Sequence, residues 1–449
     1  MMDLGHRAIN YFHSKGINQT VTLSVPAIAF LVIFGTFAPE LLAGLVVYIA
    51  FFFPLWGPVF FATAWWWFWV RYVRSRWLAA QKYVLLEIKI PPDVEKTPKA
   101  MEVVFNNFNV RLGATTFVTR WWHGGVGAQW TFELYSYEGT LHFYLRAPAP
   151  LKDYAEAQIY AQYPDVEIAE VPDYTSGLYP LANMQIWGVE YLLAKNDAYP
   201  IKTYIDYGLE DPDMEKYGSK VADPLAGVFE RFADMGPGEQ LMMQIIFRRA
   251  QTGRTTPWLW FPAGKTKWKE DAKDEIKKIY AEAKLDYENI VTGDVEKGFA
   301  QLKPGELEQV KALERSIDKL GFEVGIRLVY IGKPGAFRGH IASPEFSQMW
   351  RHFSSDHLNN LGPSGRYWYE GLDYKWEEFF GIRPQRYRFK LLDAYKRRMI
   401  FEPPYEHYRS VMTSEELATI YHFPGKHIDV PGIARIPSRR GTAPPNLPR

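Results

Sequence analysis

The sequence predicts an α+β protein: an N-terminal transmembrane helical hairpin followed by two ferredoxin-like (βαββαβ) domains, the second with a helical insertion. Three observations carry this expectation. Val21 to Val70 is apolar almost throughout, with Glu40 its only charged residue. After Lys82, aliphatic runs alternate with amphipathic helical patterns in the order β-α-β-β-α-β. From about Met184 the same order begins again, interrupted by a charged, helix-prone stretch.

A helix rises 1.5 Å per residue, so about 20 apolar residues cross the hydrocarbon core of a bilayer. Val21 to Val70 has room for two passes, and Pro39-Glu40 is the natural break, because proline ends a helical pattern and a carboxylate is expensive in lipid. The expected spans are Val21 to Ala38 and Leu41 onward, the second kinked at Pro54 and Pro58. Trp65, Trp66, Trp67 and Trp69 read as an interfacial aromatic belt, and Arg71, Arg74 and Arg76 as its headgroup contacts. Arg7 and Lys15 precede the run and Arg71, Arg74, Arg76 and Lys82 follow it, so the positive-inside rule places both ends in the cytoplasm. A buried hairpin of a soluble protein and a cleaved signal peptide both fit an apolar run of this length poorly.

Composition narrows the rest. The 449 residues carry a formal net charge of +1, which gives no polyelectrolyte signal for nucleic acid over the whole chain. There is no cysteine, which removes disulfides, thiolate metal sites and cysteine nucleophiles. Aromatic residues make up 16%, enough for real cores in the part beyond the hairpin.

The expected domains follow in order. Residues 1–20 form a short amphipathic segment, for which a frayed terminus fits as well; residues 21–81 hold the hairpin and a basic juxtamembrane helix. In the first unit, residues 82–180, Lys82 to Ile90 is a strand and Thr97-Pro98 opens a helix. Gln129 to Tyr135 and Thr140 to Ala147 form a hairpin, Leu151 to Tyr163 is a second helix and Val166 to Val171 the last strand. The free face of such a sheet is open for docking. In the second unit, residues 181–411, strand material lies at Met184 to Ala194, Ile201 to Ile205, Glu239 to Arg249 and Phe322 to Ile331. Asp223-Pro224 and Ser343-Pro344 cap helices, and Arg388 to Leu392 supplies the last strand. The insertion, about 263–320, shows i,i+4 acid–base pairs and reads as a solvated projection or a docking arm. Residues 412–449 start with a short helix, in which Thr413 and Glu416 form a capping box, and continue as a proline-rich, basic linker tail.

No chemistry is legible. Gly264-Lys265-Thr266 lacks the first glycine of a phosphate loop, because Leu259 stands in its place. The histidines are scattered, with His352 and His357 five apart, and there is no HExxH or GxSxG. Glu377 and Glu378 face apart on a helix. Catalytic residues, cofactors and metals are therefore expected to be none. The loop Arg120 to Trp130, with Trp121, Trp122 and several glycines, is either a sticky element for membrane or partner or a plug on its own sheet edge. Lys390, Lys396, Arg397 and Arg398 form a basic run interleaved with Tyr395, open to three readings: nucleic acid, anionic lipid or a solvated helix face, with Lys396, Arg397 and Arg398 the expected contacts.

Several segments stand in a familiar order: LLEIKIPPDVEKTPKAME (Leu85 to Glu102), PIKTY (Pro200 to Tyr204), Asp223-Pro224 and GPGEQ (Gly236 to Gln240). ALERSIDKLGFEVGIRLVYI (Ala312 to Ile331), LDAYKRR (Leu392 to Arg398), ELATIYHFPG (Glu416 to Gly425) and PPNLP (Pro444 to Pro448) follow. Together they resemble the membrane-anchored N-terminal, non-ATPase region of type IV secretion-like, conjugation-type FtsK/HerA-like ATPases of bacterial candidate phyla. The resemblance implies association with a translocation motor at the bacterial cytoplasmic membrane. The sequence carries no Walker motif, so hydrolysis does not transfer; either the motor is a separate polypeptide or the sequence is part of a longer one. The expected function is a non-enzymatic membrane-anchored scaffold that docks such an ATPase at the cytoplasmic face. Its docking residues would be Glu416, Leu417, Ile420, Tyr421, His422, Phe423, Pro424 and Gly425. The alternative is a membrane-tethered DNA-binding module, and self-association stays open.

Overall fold

Antiparallel pairing joins eight strands in one path, β10-β5-β9-β6-β2-β3-β1-β4, with β11 added beside β9. The structure is a computed structural model that describes residues 28–29, 32–91, 94, 96–110, 116–178, 184–210, 223–250, 267–288, 295–300, 302–364, 382–406, 409–425 and 432–433. The strands are β1 (Tyr83–Lys89), β2 (Gln129–Tyr137), β3 (Thr140–Pro148), β4 (Glu167–Val171), β5 (Gln185–Leu193), β6 (Glu239–Arg249), β9 (Gly321–Gly332), β10 (Leu361–Pro363) and β11 (Ser410–Thr413). A separate ribbon pairs β7 (Lys284–Glu288) with β8 (Val295–Ala300). The helices are α1 (Pro39–Phe51), α2 (Phe53–Ala80), α3 (Pro98–Asn107), α4 (Phe117–Trp121), α5 (Lys152–Gln162) and α6 (Ala226–Ala233). They continue with α7 (Trp268–Glu282), α8 (Pro304–Asp318), α9 (Gly339–Ser347), α10 (Ile382–Arg397) and α11 (Ser414–Ile420). The fold class is thus mixed α+β.

The seam of the sheet is the β2–β6 ladder, which runs without a break from Gln129 opposite Arg248 to Tyr137 opposite Gln240. One face carries Phe132, Leu134, Phe143, Leu145, Met243, Ile245, Phe247, Val324 and Leu328, buried with Val104 and Phe105 of α3, Ile159 of α5, Phe229 of α6 and Leu417 of α11. The other face is covered too. Met242, Val329 and Ile331 meet Leu391, Leu392 and Tyr395 of α10, and Ile246 meets Ile400 and Phe401. Burial on both faces explains why β9 reads as a nearly continuous apolar run instead of an alternating one. It also corrects the expectation of a free sheet face for the second half of the sheet, where α10 and the turn after it cover β5, β6 and β9.

Several elements differ from expectation. Ile201 to Ile205 is a buried turn rather than a strand; its backbone N–H groups bond to side chains, Ile201 N to Glu416 Oε1 at 3.0 Å and Tyr204 N to Thr419 Oγ1 at 2.9 Å. Arg388 to Leu392 belongs to helix α10, and the outer strand beside β5 is the short β10. The helix near Ser343-Pro344 starts earlier, at Gly339, with Pro344 inside it. The insertion is not only solvated: Ala272 and Ile279 of α7 and Val310 and Leu313 of α8 close over Ala198. The short helix with its Thr413–Glu416 capping box forms as expected, but residues 412–425 are no linker. β11 pairs with β9 at Phe322 and its neighbours, and every residue of α11 is buried, because Leu417, Ile420, Tyr421 and Phe423 complete the main core.

At the N-terminal end, Ala38 breaks the helix and Glu40 lies in the first turn of α1. The second expected span bends by 72° at Phe52, just ahead of Pro54. Pro54 fits the first turn of α2, where no N–H partner is needed, and α2 continues through Pro58. Among the described residues no single helix is long and apolar enough to cross a membrane; α1 and α2, bent by 72° to each other, pass that test together. Half of the expected first span lies outside the described residues, as do all of residues 1–20, Gly264 to Thr266 and Pro444 to Pro448.

Candidate functional site at the helix–body junction

Helix α2 enters the body along an aromatic seam. Trp65, Trp67 and Phe68 face outward, 53%, 49% and 64% exposed. Trp66 and Trp69 turn inward and meet the loop after α4. The ring centroid of Trp122 lies 6.3 Å from Trp66 and 5.6 Å from Trp69, and Trp121 lies 6.0 Å from Trp66. A capping box between Thr116 and Thr119 starts α4, which explains how five residues hold a helical turn there. Gly124 follows at φ +72°, and a Cβ on it would lie 2.3 Å from the Val73 carbonyl. Only glycine allows the loop to touch the backbone of α2 so closely. The tryptophan pair therefore neither plugs a sheet edge nor stands free; it grips the helix.

Charge fixes the next turn of α2. The Arg71 guanidinium lies 3.5 Å above the Trp67 ring, and Arg76 is exposed. Arg74 lies over Trp121 at 5.4 Å and donates to Glu402 at 3.1 Å. Glu402 also accepts from Arg248 of β6 at 3.2 Å, and Arg248 donates to Glu323 of β9 at 2.7 Å. Burial alone would lower the Arg248 pKa, but Glu323 and Glu402 outweigh it and keep the guanidinium charged. Arg120 is pushed down, first by burial and then by the like charge of Arg74.

Beyond Glu402 stands Arg398, 1% exposed and at a left-handed φ of +52°. It donates to Glu133 of β2 at 2.8 and 3.2 Å and to both oxygens of Asp173, one of them at 2.9 Å. Its carbonyl accepts from Gln129 at 2.6 Å. Tyr174 donates to Glu133 at 2.7 Å and shares a 2.6 Å hydrogen bond with Tyr395 of α10. Burial opposes the Arg398 charge, yet Glu133 and Asp173 hold its pKa well above the ordinary value. For Asp173 burial likewise works against ionisation, and the Arg398 contact draws it below the usual carboxylate range. This network ties β2, the connection between the two halves of the sheet, and α10 together.

A second buried network holds α11. Glu416 accepts from Thr413 N at 2.7 Å, Thr413 Oγ1 at 2.9 Å and Ile201 N at 3.0 Å. Burial pushes its carboxyl up to about 7. Glu102 bonds Tyr204 and Lys319, each at 2.6 Å, and Glu415 bonds Thr203 at 2.6 Å and Arg315 at 3.0 Å. His422 lies 2.8 Å from Asp223 through Nε2 and 2.8 Å from the Ala418 carbonyl through Nδ1. Burial would lower the His422 pKa, but Asp223 and that carbonyl raise it.

The residues expected to dock a partner lie here. Glu416, Leu417, Ile420, Tyr421, His422, Phe423 and Pro424 are buried and Gly425 is half-buried, so they present no open surface. The basic run separates as well. Lys396 donates to the Leu178 carbonyl at 3.0 Å, Arg397 is exposed beside Asp393 at 2.8 Å, and Arg398 is sealed inside. A contiguous cationic strip for nucleic acid does not form from these three. Sequence reasoning missed Glu133, Asp173, Arg248 and Glu402. Only Glu133 left a signal, as a carboxylate between Phe132 and Leu134 in a strand too apolar to face water. Among the described residues no group of three or more His, Asp or Glu is placed to hold a metal ion.

A family model described as "Domain of unknown function (DUF8128)" matches residues 85–354. The chain belongs to this family. The DUF8128 region runs from Leu85, within β1, to Ser354, beyond α9, and thus takes in both sides of the β2–β6 seam. It includes Trp121, Trp122, Gly124, Glu133 and Arg248; their partners Trp66, Trp69, Arg74, Arg398 and Glu402 lie outside it. The junction is therefore where the DUF8128 region meets the rest of the chain. No curated protein matches the chain.

Proposed function

We propose that this protein is a non-enzymatic, membrane-anchored scaffold that holds a translocation ATPase of the type IV secretion and conjugation kind at the cytoplasmic face of the bacterial membrane. The observation that carries the scaffold reading is the junction. An apolar helix pair leads into a helix clamped by two tryptophans, a glycine contact and the Arg74–Glu402–Arg248–Glu323 chain. A flexible tether needs no such clamp; a scaffold that must hold its body at a fixed angle to the bilayer does. In this reading the segment around α1 and α2 is the transmembrane hairpin. The strand order supports two ferredoxin-like units: β4-β1-β3-β2 and β10-β5-β9-β6 each follow the 4-1-3-2 order that a βαββαβ connection gives.

The ATPase partner follows from the ordered sequence resemblance. With the α11 segment buried, its docking surface is the outer side of the insertion, where Tyr280 and Leu307 are 39% and 42% exposed among charged residues. Two measurements test the proposal on the full chain expressed in a bacterial host. Carbonate extraction must leave the protein in the membrane pellet; release into the supernatant overturns the anchor. Detergent purification must retain a polypeptide with a Walker motif, and Tyr280→Ala with Leu307→Ala must weaken its recovery. Equal recovery from the double variant rejects the docking surface.

A further inference from the structure

Helix α4 is short, and its outward side is apolar. Phe117 is 53% exposed, Val118 51% and Trp122 45%, although they sit in a body that buries most of its large side chains. Trp122 touches Trp66 and Trp69, so α4 lies beside the part of α2 that carries the outward-facing Trp65, Trp67 and Phe68. From Trp69 to Ala80, where α2 ends, the helix rises ~16 Å. The loop thus reaches more than two helical turns from the end of α2 toward its apolar part. Arg71, Arg74 and Arg120 lie around the contact, with Arg71 over the Trp67 ring and Arg74 over Trp121. Apolar side chains flanked by arginine at the level of a tryptophan belt match the chemistry of an anionic bilayer interface.

We propose that Phe117, Val118 and Trp122 form a second membrane-seating element, which inserts into the headgroup and upper acyl region beside α2. The inference rests on the membrane reading of α1 and α2 and deepens it: the body is seated on the lipid at two points, and the occupant of the exposed α4 surface is the bilayer itself. The clamp fixes the body to α2, and the second contact fixes the tilt of the two together against the bilayer.

The chain has no cysteine, so one introduced thiol is a unique labelling site. Full-length Val118→Cys and, separately, Phe117→Cys are labelled with an environment-sensitive fluorophore and reconstituted in phosphatidylglycerol–phosphatidylcholine vesicles containing brominated lipid. Leu45→Cys in α1 reports the anchor, and Lys278→Cys on the exposed side of α7 reports the solvated body. The expected result is loss of fluorescence at 118 and 117, greatest with bromine near the headgroups, loss at 45 with deeper bromine, and none at 278. Quenching at 45 with none at 117 and 118 overturns the second seat and leaves the anchor standing. No quenching at 45, 117 or 118 overturns both.

Discussion

Gly124→Ala is the sharpest perturbation of the junction. The added methyl would stand 2.3 Å from Val73 carbonyl atoms and 2.6 Å from Arg74 N, all backbone of α2, so no flexible side chain can move aside. The residue must also keep φ +72°, which strains an L-residue by about 1–2 kcal/mol. Overpacking against a fixed backbone adds ~1–3 kcal/mol, so the closed junction weakens by roughly 2–5 kcal/mol. The loop should lift from α2 and uncover Arg120. The assay is trypsin cleavage after Arg120 in the detergent-solubilised full chain, read beside a melting curve. Gly127→Ala is the control, since nothing lies within 4 Å of a Cβ there. Cleavage of the Gly124→Ala protein at the parent rate, with an unchanged melting curve, would refute the clamp.

Other outcomes follow from the buried networks. Arg398→Met leaves the Glu133 carboxylate at 0% exposure without its cation and should lower stability by ~3–5 kcal/mol in urea unfolding. Arg397→Met, one residue earlier on the exposed side of α10, should stay within ~0.5 kcal/mol of the parent. The α11 segment should loosen as pH rises. The raised His422 pKa contributes stability that is present below its ordinary 6.5 and lost as pH climbs through the folded value. Glu416, raised from 4.5 to about 7, likewise binds its proton more tightly in the folded state, so its contribution also falls between those values. Asp223, drawn down by His422, acts in the opposite sense and only at acid pH. Hydrogen exchange at the Leu417 to Tyr421 amides, corrected for the intrinsic rate, should show less protection at pH 8 than at pH 6; equal protection removes this account. Deleting residues 410–425 should abolish cooperative unfolding of the body, whereas a dispensable tail would leave the melting curve intact.

Periodicity made the strands legible wherever one face is apolar or both are. Gln129 to Tyr135, Thr140 to Ala147, Glu239 to Arg249 and Phe322 to Ile331 were readable because their partners bury them in regular register. Ile201 to Ile205 misled because an apolar run also suits a buried turn whose N–H groups are satisfied by distant side chains. Arg388 to Leu392 misled because tertiary packing on Gly188 and Val329 overrides the weak local preference of a short run. The tail misled through its proline and glycine content, which belongs to the residues after Phe423, while the apolar pattern before them belongs to the core. The junction was half legible. Trp66, Trp69, Trp121, Trp122 and Arg74 drew notice separately, but nothing in the sequence says that residues some fifty positions apart meet, or that Arg74 finds Glu402.

The β2–β6 seam has a mechanical consequence. Strand spacing of ~4.8 Å makes the eight-strand path a plate roughly 34 Å across. A plate with nine residue pairs along its midline has no hinge there. Torque or a pull delivered through α2 to β6 and β9 would reach β10 and β4 at the two edges as rigid displacement, with little lost to bending between the halves. A truncation at the connection near residue 180 would expose two complementary strand edges at once, so the separated halves should seek each other, or further copies of themselves, before they rest as monomers.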